Sequence, residues 1–340
     1  MILVTGGAGY VGCILVRELL NKGEAVRVYD KLFFGEEGLR EVRDKVELIQ
    51  GDLRYFDEAI LDGIDSVIHL AGLSNDPTAE YNPKANHEMN TVATEVLANA
   101  CKRRGIKRFV FASTCSIYDK GLYAEDSLQD EHAEVSPRAA YAVSNYEAER
   151  GLLAMADERF CPVILRKGTL YGFSPRMRYD LVVNTFVKDA WMNGALKVFC
   201  GGEMWRPLVD VTDAAKAYIC CVEAPEHKVR GQIFNLVFKN YRILELAHWV
   251  REAFKPIRKL EIEVDYSHYR TRSYRVSGQK IETVLGFKPT VPVKESVEHM
   301  VQMIQKDGYT DFLNPKYYNV QWMMLLCEME STLKRIGSVF

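Results

Sequence analysis

Short, wholly apolar runs alternate with stretches of helical period along the first half of the chain. Ile2-Leu3-Val4 ends in glycines, and Tyr10 to Lys22 then carries apolar residues at Val11, Leu15 and Leu19. Strand-like segments follow at Ala25 to Tyr29, Val46 to Gln50, Ser66 to Leu70, Phe109 to Ser113 and Pro162 to Arg166. Between them, Ala85 to Arg104 and Tyr141 to Phe160 read as helices. Strands this short, apolar on both faces and separated by helices, predict an α/β fold: a doubly wound parallel sheet covered on both sides.

After about residue 170 the rhythm changes. Gly, Pro and Arg punctuate shorter pieces, as in Gly172-Phe173-Ser174-Pro175-Arg176 and Trp205-Arg206-Pro207. No low-complexity linker or internal repeat intervenes, so a second lobe packed on the edge of the first is expected. The division reads as 1–170 for the main domain with a later return strand near 206–235, 171–305 for a smaller C-terminal α+β lobe, and 306–340 for a helical extension. Tyr317 to Ile336 places Trp322, Leu325, Leu326, Met329, Leu333 and Ile336 on one stripe. That stripe reads as docked on the chain's own core, with a subunit contact as the alternative.

Composition narrows the classes. The chain has 340 residues, a formal net charge of −2 and 44 Lys+Arg against 46 Asp+Glu, which argues against holding nucleic acid by bulk positive charge. No apolar run approaches the roughly 20 residues of a membrane span, and Met1 to Gly6 is too quickly glycine-rich for a signal peptide. The eight cysteines show no CxxC spacing and no clustering with histidine. They read as reduced, buried thiols of a cytoplasmic protein, with no metal site.

The sharpest local signal is Thr5-Gly6-Gly7-Ala8-Gly9-Tyr10-Val11-Gly12, between the first strand and the first helix. Gly6 and Gly9 allow a tight turn that brings backbone N–H groups against a pyrophosphate, and Gly12 allows close helix–strand packing. Tyr10 and Val11 open the helix at this site. The second strand ends at Asp30, 18 residues after Gly12. A carboxylate there accepts ribose hydroxyls and repels a 2′-phosphate, favouring NAD over NADP, while the adjacent Lys31 weakens that exclusion. The sheet is therefore expected to be Rossmann-type.

With these residues in view, the chain resembles the extended short-chain dehydrogenase/reductases, in particular the NAD-dependent nucleotide-sugar epimerases and dehydratases, and among them the UDP-glucose 4-epimerases. The resemblance extends over about residues 1–305. It implies that Asp52 and Leu53, in Gly51-Asp52-Leu53-Arg54, lie against the adenine, and that Leu70, Ala71 and Gly72 line the cofactor. It marks Asn90 as a structural asparagine and Ser74 as a substrate contact. It implies Tyr141 as the base on a sugar hydroxyl, with Thr114, in Phe111 to Tyr118, sharing or relaying the proton. Arg206, within Trp205 to Asp213, and Arg272 become candidates for the substrate diphosphate, since a guanidinium matches phosphate oxygens with a forked donor set. Thr169 stands where many relatives carry Asn, and Asn184 either caps its helix or touches the nucleotide. The implied partner is a nucleotide-diphosphate sugar, and the implied assembly is a homodimer formed through helices near 86–104 and 141–160.

One departure stands out. Four residues after the tyrosine the family pattern has lysine, whereas this chain has Tyr141-Ala142-Val143-Ser144-Asn145. Position 145 shares a helical face with Tyr141. Asn145 can bond the nicotinamide ribose but supplies no charge to lower the pKa of a tyrosine that ordinarily titrates near about 10. Three explanations stand: a chain altered to trap substrate; a natural enzyme whose tyrosine is activated by the positive nicotinamide or a basic group such as Lys167; or a silent relative that binds without turnover.

Cys115 and Ser116 follow Thr114 where dehydrating relatives carry an Asp-Glu pair and decarboxylating relatives a Glu at the second position. This leaves oxidation and re-reduction at one carbon, a 4-epimerase, as the expectation. The alternatives are a dehydratase or keto-sugar reductase of the same family, or the silent NAD-binding relative.

Overall fold

The computed structural model describes residues 1–119, 127–267, 272–307 and 310–338. Seven strands form the central sheet: β1 (Ile2–Thr5), β2 (Val26–Asp30), β3 (Glu47–Gln50), β4 (Ser66–His69), β5 (Arg108–Thr114), β6 (Cys161–Lys167) and β7 (Gln232–Leu236). Their spatial order is β7-β6-β5-β4-β1-β2-β3, every neighbouring pair parallel. Leu3, Val4, Val67, Ile68, Phe109, Val110, Val163 and Ile164 are all solvent-free, which is why these runs lack polar alternation.

Each face of the sheet carries its own core. On one side α1 (Tyr10–Asn21) packs against α4 (Val211–Glu223) through residues including Leu15, Leu19, Ala214 and Tyr218. On the other, α2 (Ala93–Arg103) and α3 (Ala140–Ala154) bury Leu97, Ala98, Ala148 and Leu152. The strand order reverses at β1, between β2 and β4, which places a crevice at the carboxyl ends of those strands.

Four sequence expectations are amended. The helix expected over 85–104 is divided: Pro83–His87 is a short helix, Glu88–Val92 is a π turn, and α2 begins at Ala93. The π turn turns the Asn90 amide to the loop after β4, where it accepts from Leu73 N (2.8 Å) and donates to Leu73 O (3.0 Å). The helix expected to reach Phe160 stops at Ala154. Within 206–235 only Gln232–Leu236 joins the main sheet, while Trp205–Asp210 pairs with Thr169–Tyr171 and Lys239–Arg242 in a separate three-stranded sheet.

The last helix, α5 (Asn319–Ile336), does not bury its apolar stripe. Leu325, Met329, Leu333 and Ile336 are exposed and Asn319 alone is buried. The helix is fastened by its first turn, where Asn319 Nδ2 donates to Ser74 Oγ (2.8 Å) and the Trp322 indole N–H to Phe33 O. Polar contacts at one end, rather than the stripe, set its position.

Candidate active site

The β1–α1 loop is shaped by space that no side chain can enter. Gly6 has φ +72°, and a Cβ there would lie 2.7 Å from Ala71 N; a Cβ at Gly12 would lie 2.3 Å from Gly6 O. Gly9 caps α1 with no side-chain acceptor, so the first-turn N–H groups and the positive end of the helix face the crevice. That is a cradle for a diphosphate. Of the residues read as cofactor contacts, all but Asp52 and Leu53 line one continuous cavity beside this loop. Asp52 and Leu53 line a pocket that adjoins it through Asp30, Lys31, Ala71 and Gly72.

At the adenosine end, Asp30 accepts from Ala8 N (3.0 Å) and Leu32 N (2.7 Å). Burial pushes its carboxyl pKa up, opposed by those two N–H groups and by the charge of Arg176. Asp52 is clamped between Lys31 Nζ (2.6 Å) and Arg54 Nη2 (2.6 Å). Burial works against its charge, yet these two cations hold the carboxyl well below the usual range. Arg176, which the sequence reading did not select, lines the same cavity. Its guanidinium lies 3.6 Å from the Phe34 ring centroid, Nη2 donates to Asn319 Oδ1 (2.7 Å), and Nε has no partner. Burial, with the charge of Arg178 adding, lowers its pKa to about 9, still protonated at neutral pH. A buried guanidinium with a free donor beside a glycine cradle fits a dinucleotide diphosphate. The signal for Arg176 was the alternation Arg176-Met177-Arg178, whose inward direction emerges only from the fold.

Tyr141 lies in the first turn of α3, 9% exposed, with Asn145 one turn on. Burial, together with the Asp76 carboxylate, pushes the phenol up to about 12; the charges of Arg178 and Arg272 and a hydrogen bond from Thr114 work the other way. Thr114 ends β5 and caps the turn that follows, accepting from Ser116 N (3.1 Å). The Asn145 amide is turned back on its own helix, donating to Tyr141 O (2.8 Å). Lys167, at the end of β6 in register with Thr114, lines the cavity that holds Tyr141 and Asn145.

The residues read as substrate contacts separate into two groups. Ser74 lines the cavity. Arg206 and Arg272 lie together beyond it: Arg206 Nη1 donates to the Arg272 carbonyl, and Arg272 Nη2 donates to Asp76 Oδ2 (2.7 Å). Asp76 Oδ1 is buried without a partner. Thr114 touches this region through Tyr141, while Thr169 is paired in a strand with Leu208. Asn184 is corrected outright. It is solvent-free in the helix Val182–Asn193, and its amide serves Gly172 N (3.1 Å), Arg178 O (2.9 Å) and the Tyr10 hydroxyl (3.1 Å). It fixes the 172–178 loop and neither caps the helix nor faces the cavity. The Tyr10 side chain has the same role, donating to Gly172 O (2.6 Å), while its backbone remains at the cradle.

The family model described as "NAD dependent epimerase/dehydratase family" matches residues 2–236. UDP-glucuronic acid decarboxylase 1 of Danio rerio is 26% identical, over 90% of this chain and 73% of its own length. The uncharacterized UDP-glucose epimerase YtcB of Bacillus subtilis is 30% identical, over 69% of this chain and 76% of its own. Among solved structures, MoeE5 in complex with UDP-glucuronic acid and NAD is 25% identical with a TM-score of 0.75, covering 90% of this chain and 99% of that one. The Thermus thermophilus UDP-glucose 4-epimerase complex with NAD is 25% identical with a TM-score of 0.74, covering 88% and 98%. Among the described residues, no helix is long and apolar enough to cross a membrane.

Proposed function

The chain belongs to the NAD-dependent epimerase/dehydratase family, and on that premise we propose that it is a nucleotide-sugar 4-epimerase acting through a transient 4-keto sugar. The observation that carries this reading is Tyr141 lining the cavity beside the glycine loop with Thr114 hydrogen-bonded behind it, and no carboxylate at the two positions after Thr114. Cys115 is buried, its thiol donating to Arg166 O (3.1 Å), and Ser116 is bonded to Thr114 Oγ1 (2.7 Å). Neither side chain supplies the acid for eliminating water.

Asp30 would hold the adenosine ribose, the α1 N-terminus and Arg176 the diphosphate, and Asn145 the nicotinamide ribose. NAD supplies the hydride acceptor, and later the donor, at the sugar carbon. The Tyr141 phenolate would take the hydroxyl proton, shared with or relayed by the Thr114 hydroxyl, as that carbon is oxidised, and Tyr141 would return it after the keto sugar has presented its other face. The relatives' names support a uridine diphosphate sugar as substrate. A homodimer is supported by Val92, at the end of the π turn, and Val96 on α2, apolar side chains left exposed.

The test is incubation of the NAD-loaded protein with UDP-glucose and with UDP-glucuronic acid, following products by NMR. The 4-epimer is expected, and Tyr141→Phe should slow its formation by about 10³-fold, within the range of a lost general base. Carbon dioxide release, accumulation of a dehydrated keto sugar, or bound sugar with no transient NADH absorbance would each overturn the assignment.

A further inference from the structure

Lys167 is a half-buried cation that no carboxylate answers among the described residues. Its Nζ donates to Ser113 O (2.9 Å), and among the described residues no acidic oxygen lies within ion-pair distance of it. An ammonium has three N–H donors and one is thereby used. The neighbouring acid is committed elsewhere: Glu149 accepts from Arg166 Nη2 (2.6 Å) and from the Ser113 hydroxyl. A charge removed from water without a counter-charge is costly, so a site that keeps one is built around what arrives.

What faces Lys167 is the cavity it shares with Tyr141 and Asn145. The two cations that act on the phenol are neutralised where they stand. Arg178 is bidentate on Asp180 (2.8 and 3.0 Å), and Arg272 sits on Asp76 (2.7 Å) and near Asp119 (3.6 Å). Asn145, which shares Tyr141's helical face, is neutral and bonded to its own helix. We propose that Lys167, reaching in from β6, is the positioning cation of the nicotinamide end. Its remaining N–H groups meet the nicotinamide-ribose hydroxyls, and its charge favours the Tyr141 phenolate that takes the sugar proton. This rests on the NAD-dependent oxidation proposed above.

Burial, with the Arg178 charge adding and Cys115 opposing, brings the ammonium down to about 8. Lys167 is therefore charged below that pH and loses its charge above it, so the epimerisation rate should fall on the alkaline side.

The test compares wild type with Lys167→Met and Lys167→Gln, the latter keeping a donor for Ser113 O without the charge. NAD affinity is measured by calorimetry on protein whose melting confirms folding, a reading that does not depend on turnover. Both variants should bind NAD about tenfold more weakly, turn over about 100-fold more slowly, and lack the alkaline limb near pH 8. Adding Asn145→Lys to Lys167→Met should restore at least a tenth of the wild-type rate. Unchanged NAD affinity in a folded variant overturns the role of Lys167 whether or not any sugar is turned over. Weakened NAD binding with no turnover of any nucleotide sugar by wild type upholds Lys167 and rejects the epimerase reading.

Discussion

Both ends of the dinucleotide cavity carry a lysine, and the two are held in opposite ways. Lys31 meets Asp52 at 2.6 Å, and Asp52 is further clamped by Arg54. Its charge is answered before any ligand arrives, with a third of the side chain in water. Lys167 is held by one backbone carbonyl. The end proposed for adenosine presents a preassembled surface of paired charges beside the Asp30 carboxylate. The other end keeps an unanswered charge where a reaction needs one. Sequence position conveys none of this difference, since Lys31 directly follows one strand and Lys167 is the last residue of another.

Breaking the support beside Lys167 should have the largest effect. Glu149 and Arg166 are 1% and 3% exposed, so Glu149→Gln leaves a buried guanidinium uncompensated and should cost about 3–5 kcal/mol in denaturant unfolding. A loss below about 1 kcal/mol would show that the β5–β6 end is held by packing alone. At the end proposed for adenosine, Asp30→Ala removes the carboxylate proposed for the ribose and also frees Ala8 N and Leu32 N. NAD affinity should fall by about 1.5–3 kcal/mol, with NADP losing less, as read by paired calorimetric titrations. The smallest effect is expected from Lys31→Met. A partly exposed ion pair contributes about 1 kcal/mol or less, so NAD affinity should change less than about fivefold. A larger loss at Lys31 than at Lys167 would invert the comparison.

The first half of the fold was legible because its signals are local. Glycines at fixed offsets, a run of solvent-free strands and a carboxylate at the end of β2 all act within a few residues of the backbone they shape. The errors fall where partners are distant in sequence. Asn184 reads as a cap from its neighbours, yet its partners are Tyr10, Gly172 and Arg178. The α5 stripe reads as a core face, yet the polar contacts of Asn319 and Trp322 decide where that helix lies. The stretch 88–92 carries helical period, and the pull of Asn90 toward Leu73 widens it to a π turn. The local alternation around Arg176 could not orient it, because the guanidinium's direction depends on Phe34 and Asn319, more than 140 residues away on each side.

The first turn of α5 ties together loops that enter the crevice from opposite sides of β1. Asn319 grips Ser74 after β4 and Arg176 beyond β6, while Trp322 grips Phe33 after β2. Those loops cannot part while that turn is docked. Undocking that turn would free Ser74, Arg176 and Phe33 together.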